Sequence, residues 1–343
     1  MYTVVLSGVA QGSVLGPLLF LIMLVDIDLN ITEASIKSFA DDTRALKSIS
    51  NASDITALEE TLKLIYKWAS DNNLVFNDCK FELIQYGCNK DLQLLADYKS
   101  STGISIEKVD SVSDLGVCMS NDATFRNHID DICASARRSV SWICRTFKSR
   151  SVLTMATTWK SLVLPKLEYC SQLWSPCVKR DIQKIELVQR DFVRKIKLNS
   201  PSLSYWDTLK YLNLYSLERR RERYIIIYTW KIIEHLVPNI SIVEHRKINV
   251  QYTSRFGRKC IIPSLSRTSR FSSFYENSLA VCGPKLFNVM PQYIRDLTGC
   301  TIDTFKSSLD KFLRTITDQP VIPGYTGGND RLHGSNSLVD ILS

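Results

Sequence analysis

The sequence has no apolar run long enough to cross a bilayer. Its longest, Val14 to Val25, covers twelve residues and is broken by Gly16 and Pro17, whereas a spanning helix needs ~20 consecutive apolar residues. Met1 to Leu6 contain no Lys or Arg, so the basic n-region of a secretory signal is missing and the chain is expected to be intracellular, in cytoplasm or nucleus, with no membrane partner. No two of the ten cysteines are spaced CxxC, and the four histidines, at 128, 235, 245 and 333, fit no finger or knuckle. That spacing argues against a zinc module. Spread over 343 residues without a signal, the cysteines read as reduced and mostly buried thiols. With 45% hydrophobic and 23% charged residues, the chain is neither disordered, collagen-like nor a disulfide scaffold, and it is long enough for two or three domains.

The charge is unevenly placed. Residues 1–90 hold seven Lys and Arg against eleven Asp and Glu, and the remainder holds thirty-six against twenty-four, which makes up the overall +8. An acidic first segment beside a long basic one suits metal-dependent chemistry on a polyanion, with carboxylates for cations and Lys or Arg for phosphates. An ordinary basic surface would give the same totals.

Along residues 1–90 strand and helix signals alternate. Ile36 to Phe39 and Thr43 to Leu46 read as strands joined through Ala40-Asp41-Asp42, a hairpin with acids at its tip. Ile55, Leu58, Leu62, Ile65 and Trp68 recur at helical spacing behind Ser53 as N-cap, which predicts a helix over 54–71 ended by Asn72-Asn73. Leu74 to Phe76 and Phe81 to Ile84 read as a further strand pair. Beyond a polar connection near 88–110, Ile129, Ile132, Cys133, Ala136, Val140, Ile143, Cys144 and Phe147 form one stripe with Arg137, Arg138, Arg145 and Lys148 outside it, an amphipathic helix with a basic face. Further helices are expected over 152–163, 180–197, 216–236 and 303–314. Residues 245–270 suggest a basic loop and 324–343 a frayed tail.

Two segments carry a sharper signal: Ser7-Gly8-Val9-Ala10-Gln11-Gly12-Ser13-Val14-Leu15-Gly16-Pro17-Leu18-Leu19-Phe20, and Phe39-Ala40-Asp41-Asp42 about thirty residues on. Together they resemble the SGVPQGSVLGPLLF and FADD blocks of the reverse transcriptases of non-LTR retrotransposons, those like the jockey mobile element in particular. Ala10 stands where that family has proline. The run of apolar residues and acids from Ile22 to Asp28 lies between, as in the family. The resemblance continues through Trp68, Asn73-Leu74, Asn77 and Lys80, then Ser113-Asp114-Leu115-Gly116-Val117 and His128-Ile129 at the opening of the thumb. It takes in Ser161 to Tyr169, Leu173-Trp174-Ser175-Pro176 and Leu217-Glu218-Arg219-Arg220, so residues 1 to about 315 look like the carboxy-terminal part of such a frame.

The resemblance implies an α+β fold: a partial polymerase palm with an antiparallel sheet over 1–90, a mainly helical thumb over 91–240, a basic and helical carboxy-terminal extension over 241–323, and the tail. Phosphoryl transfer to a 3′-hydroxyl uses two cations about 4 Å apart held by carboxylates. Asp41 and Asp42 are therefore the implied ligands of Mg²⁺ or Mn²⁺ and the implied catalytic acids, chiefly Asp41, since alternation along a strand lets one acid face the metals squarely. An Asp-Asp turn is the plain alternative. Gln11 and Gly12 would lie beside nucleotide and template, or simply open an apolar helix packed into the core. Lys80 would protonate the departing pyrophosphate or be a solvated lysine. Arg137, Arg138, Arg219, Arg220 and Arg221 would grip RNA template and DNA primer through phosphates, or be solvated helix faces. In the family a further carboxylate and the fingers precede the SGVPQG block, and only six residues precede Ser7 here. The chain is thus expected to be an amino-terminally truncated RNA-directed DNA polymerase, inactive by itself on deoxynucleotides. The alternative is a non-catalytic nucleic-acid-binding remnant.

Overall fold

In a computed structural model of the chain, the structure describes residue 8 and residues 12–87, 89–148, 150–196, 203–237, 250–253, 257–263, 277–319 and 337–342. They fall into two compact units, Met1–Val112 with Ser120–Asp122 and Ser113–Met119 with Ala123–Ser343. Helix and small two-stranded sheets are mixed, which fits an α+β fold. Among the described residues no helix is long and apolar enough to cross a membrane.

The first unit opens with α1 (Gly16–Leu24), begun by a Ser13 Oγ that accepts from Gly16 N at 3.0 Å. The helix is apolar all round, yet only Gly16 is buried; Leu18, Leu19, Leu21 and Ile22 are each half or more exposed. The expected packing of this helix into a core is therefore absent among the described residues. Strands β1 (Ser35–Phe39) and β2 (Asp42–Leu46) form an antiparallel hairpin. Helix α2 (Ala52–Asp71) is capped by Asn51, not Ser53: Asn51 accepts from Asp54 N while the Asp54 carboxylate takes the Asn51 N–H. Asn73, at φ 55°, ends it. Its buried stripe is Thr61, Ile65 and Ala69, and Trp68 Nε1 donates to Asp26 at 2.9 Å, tying α2 to the segment after α1.

The expected strand pair over 74–84 does not form. Tyr66, Phe76 and Phe81 instead collect into an aromatic trio with centroids 5.4–5.7 Å apart, and their packing sets the chain path. Only β3 (Glu82–Leu83) is strand there, paired in parallel with β4 (Glu107–Lys108) after the short α3 (Lys90–Leu95). A ribbon of β5 (Ser111–Asp114) and β6 (Val117–Ser120) follows.

In the second unit α4 (Arg126–Thr146) buries Ile129, Cys133, Ala136, Val140 and Ile143, five of the residues expected in its stripe. Helix α5 (Val152–Thr158) runs into a π-turn at Trp159–Val163, where Leu164 N bonds to Trp159 O. Pro165, one residue on in α6 (Leu164–Glu168), has no N–H with which to close a regular turn. Then come α7 (Ser171–Trp174), α8 (Lys179–Val193), α9 (Tyr205–Tyr211) and α10 (Leu217–Ile233). One core gathers Trp159, Leu167, Trp174, Ile185 and Phe192 around α4. A second gathers Ile226, Trp230, Phe287, Phe305 and Leu309 around α10. It draws on α11 (Leu279–Val289), α12 (Gln292–Arg295) and α13 (Ile302–Leu313). Gly283 permits the approach of α11 to α10, because a Cβ there would collide with Thr229 Oγ1.

Two expectations are corrected here. The stretch read as a basic loop holds an antiparallel pair, β7 (Val250–Thr253) with β8 (Gly257–Cys260), Asn288 bonding both N and O of Cys260 at 2.8 Å. The end of the presumed tail is α14 (Leu338–Leu342), with Leu338 buried and its N–H bonded to Glu222. None of the described cysteines is in a disulfide.

Candidate functional site

The hairpin that carries Asp41 and Asp42 turns in two residues. Phe39 pairs with Asp42, leaving Ala40 and Asp41 as the loop, with Ala40 at φ 53°. One step down, Ser38 Oγ and Thr43 Oγ1 lie 3.0 Å apart across the strands. Asp42 thus opens β2, on the face shared with Phe39, Lys37 and Arg44, while Asp41 stands free of the ladder at the tip. Both carboxylates are exposed. They occupy different backbone environments, so they are not equivalent donors.

Mg²⁺ and Mn²⁺ are hard cations that take about six oxygen ligands. Two neighbouring carboxylates fit part of that shell. Among the described residues no three His, Cys, Asp or Glu side chains are grouped so that they could hold a metal ion, so further donors would have to come from water, substrate phosphates or other chain. Gly12 is exposed at φ 79°, a conformation that needs glycine, with open space where a Cβ would be. Gln11 lies outside the described residues. Lys80 is exposed at the end of a 3₁₀ turn, Asp78–Lys80, capped by Asn77, whose Oδ1 accepts from Cys79 N at 3.2 Å. The turn is anchored by Asp78, which accepts from Thr102 at 2.8 Å and Tyr66 at 3.1 Å. Those bonds, Thr102 first, hold the Asp78 carboxyl below its ordinary value, and burial with Asp78 beside it pushes Tyr66 up to about 12.

In the second unit the motif residues meet one another. Tyr169 Oη donates to Leu115 O at 2.9 Å, across the Leu115-Gly116 turn whose residues are at φ 45° and 81°. Trp174 Nε1 donates to Tyr169 O at 2.7 Å, and its ring packs edge-on against His128, 5.3 Å between centroids. His128 Nδ1 in turn accepts from Cys118 N at 3.3 Å, and burial holds its imidazole below the usual histidine value. Glu168 receives the Arg220 guanidinium and the Tyr224 hydroxyl, the latter at 3.0 Å. Five separated stretches, from Ser113 to Arg220, therefore brace one scaffold.

The arginines divide. Arg137 and Arg138 are exposed on α4, as is Arg145. Arg219 and Arg221 are not: they are 0% and 2% exposed, which leaves no surface for a phosphate and corrects their assignment as nucleic-acid contacts. Arg219 lies 3.9 Å from Glu222 and 3.8 Å from Asp318. Arg220 is engaged by Glu168, and Arg223 by Asp310 at 2.5 and 2.8 Å. Asp318 also caps α10, accepting from Ser216 N at 2.5 Å and Ser216 Oγ at 2.8 Å. The run that reads as a basic grip is an internal charge network. Apart from Glu222, its ion-pair partners lie about fifty to a hundred residues away, so no local pattern announces it.

Within the network, Glu186, Glu218, Glu222 and Asp318 face the buried arginines 219 and 221. Burial pushes Glu186 up to about 7, against its bonds from Tyr205 and Leu217 N. Burial, with Glu218 beside it, pushes Glu222 up to about 8. Burial lowers Arg221. An excess of acids over buried cations is relieved by holding protons. Through Glu186 and Glu222 the folded chain therefore holds protons that the unfolded chain has released between the ordinary glutamate value and about pH 8. Stability of this unit is expected to be fullest near pH 4.5 and to fall as pH rises to about 8, with a slope of up to about 1.4 kcal/mol per pH unit for each proton lost. Urea midpoints followed by tryptophan fluorescence from pH 5 to 8 would show it, and a midpoint rising over that range would refute it.

With the hairpin and the basic helix described, the chain can be placed by similarity: it resembles the RNA-directed DNA polymerases of retrotransposons. The RNA-directed DNA polymerase from mobile element jockey of Drosophila melanogaster is 28% identical over 201 residues, 55% of this chain and 22% of that protein. The probable RNA-directed DNA polymerase from transposon X-element of the same fly is 26% identical over 207 residues, again 22% of its length. That from transposon BS is 23% identical over 283 residues, 76% of this chain and 30% of the relative. The chain thus matches less than a third of the length of these relatives. No family model matches it. No solved structure matches it.

Proposed function

We propose that the chain is a portion of a non-LTR retrotransposon reverse transcriptase, in which the first unit is part of the palm and the second is the thumb with its carboxy-terminal extension. The similarity to three retrotransposon polymerases, joined to a hairpin that carries the Asp41-Asp42 pair of the FADD-like segment, supports this reading. Asp41 is the principal metal ligand and Asp42 the weaker one; Lys80 donates a proton to the leaving pyrophosphate; Gln11 and Gly12 lie along nucleotide and template. Bound Mg²⁺ would polarise the transferring phosphoryl group and activate the primer hydroxyl. Apolar side chains on α1 would be covered by the rest of such a polymerase. Arg137 and Arg138 hold phosphates of the template and primer.

A second reading, a nucleic-acid-binding remnant without chemistry, is favoured by the absence of a third carboxylate near Asp41 and Asp42 among the described residues. Both readings expect the chain alone to bind a primed RNA template in the presence of chelator and to leave the primer unextended with Mg²⁺ and deoxynucleotides. Lengthened product would overturn the inactivity. Mn²⁺ separates the readings: it should broaden amide signals of residues 39–43, and Asp41→Asn should abolish the broadening. Signals unmoved by millimolar Mn²⁺ would leave the hairpin without its metal role.

A further inference from the structure

We propose that Trp142 is a platform on which an unpaired base of single-stranded nucleic acid stacks, with Arg138 and Arg145 holding the neighbouring phosphates. This rests on the nucleic-acid reading above and adds a residue and a strand form to it.

Trp142 lies on α4, four residues after Arg138 and three before Arg145, and its side chain is 48% exposed. At 100° and 1.5 Å per residue, both arginines fall within about 60° of its direction and about 6 Å along the axis. Phe147 meets the indole edge-on, centroids 6.2 Å apart at 85°, which fixes the ring without stacking on it. On the other flank Lys166 Nζ donates to Ser139 Oγ at 2.9 Å, so an ammonium stands within one turn of the indole.

The charge around this ring is unspent. Arg219, Arg220, Arg223 and Arg258 are each ion-paired, whereas Arg137, Arg138 and Arg145 have no ion pair among the described residues. Asp130 is engaged by Lys184, and Asp131 lies eleven residues before Trp142, about 16 Å back along the helix. An exposed aromatic flanked by free guanidinium groups is the pairing that single-strand binders use, the ring for a base face and the cations for the backbone. A duplex covers its base faces, so it would engage the arginines and leave the ring idle. A protein partner would want an apolar rim, and the exposed residues bordering the ring on α4 are Arg138, Ser141, Arg145 and Thr146.

The test measures binding of the full chain to a fluorescein-labelled oligothymidylate of about twelve nucleotides and to a duplex of equal length, by anisotropy at about 50 mM salt. Trp142→Ala is expected to weaken single-strand binding about tenfold or more while duplex affinity and thermal midpoint stay put. Trp142→Phe should recover most of the loss. Equal affinity of Trp142→Ala and wild type for the single strand would overturn the inference, and so would parallel losses on both probes. If the wild-type chain binds neither probe, the nucleic-acid reading itself falls, and this inference with it; if only Trp142→Ala behaves as wild type, the broader reading survives.

Discussion

Replacing Arg219 by methionine is expected to destabilise the helical unit by about 3–5 kcal/mol at neutral pH, enough to unfold much of it at 37 °C. The guanidinium is fully buried, and it stands 3.9 Å from Glu222 and 3.8 Å from Asp318. Those two acids anchor other elements: Glu222 takes the N–H of Leu338 at 3.0 Å and the hydroxyl of Ser337 at 2.6 Å, and Asp318 caps α10. Methionine fills a similar volume but leaves these carboxylates, with Glu218, sharing the remaining charge of Arg221. They must then hold more of the protons that Glu222 already keeps up to about pH 8, or be hydrated, and either disturbs the caps. The penalty should shrink as pH falls toward 4.5, where the acids are protonated in any case and lose less by losing a cation. Urea unfolding of wild type and variant at pH 5 and pH 7.5 measures it. A difference below about 1 kcal/mol at the higher pH would show that the network adds little.

The contrast between α4 and α10 shows what periodicity reveals. In α4 the stripe from Ile129 to Ile143 is cleanly apolar and the arginines lie opposite, so the hydrophobic pattern assigns both the helix and the exposure of Arg137 and Arg138. In α10 six consecutive charged residues, Glu218 to Arg223, precede the apolar turns, and burial on several sides takes Arg219, Arg221 and Glu222 inside with Ile225, Ile226 and Trp230. Exposure there depends on Glu168, Asp310 and Asp318, which only the tertiary fold brings near. The hairpin shows the same division. Strand signals and FADD locate Asp41 and Asp42 within a residue, though Asp42 belongs to β2 and not to the loop. The segment after α2 was beyond local reading, because the Tyr66, Phe76 and Phe81 cluster outweighs the strand propensity of Leu74 to Phe76. The pair β7 and β8 was obscured by its Arg, Lys and Ser content. The motif stretches were recognisable without being interpretable: that Glu168, Tyr169, Trp174 and Arg220 brace one scaffold is revealed only by the bonds they make in the fold.

Nucleic-acid affinity is expected to fall by about three powers of ten between 50 and 200 mM salt if the α4 face and its neighbours neutralise about six phosphates. The sign and the residues follow from one distinction, between guanidinium groups already neutralised by carboxylates and those that are not. Only the second kind releases counterions on binding. Arg137→Ser, Arg138→Ser and Arg145→Ser together should therefore flatten the plot of log affinity against log salt by about two to three units, with unfolding midpoints unchanged, since all three side chains are exposed. Arg220→Met should do the reverse: it breaks the contacts to Glu168 and lowers stability, while the slope stays as in wild type at temperatures where the variant is folded. Chelating all divalent metal should change neither result, because the Asp41 and Asp42 hairpin takes no part in gripping phosphates. A slope that survives the triple substitution would place the interface elsewhere than α4. A slope that collapses on chelation would move it to the carboxylates, where a cation bridges the acids and the polyanion.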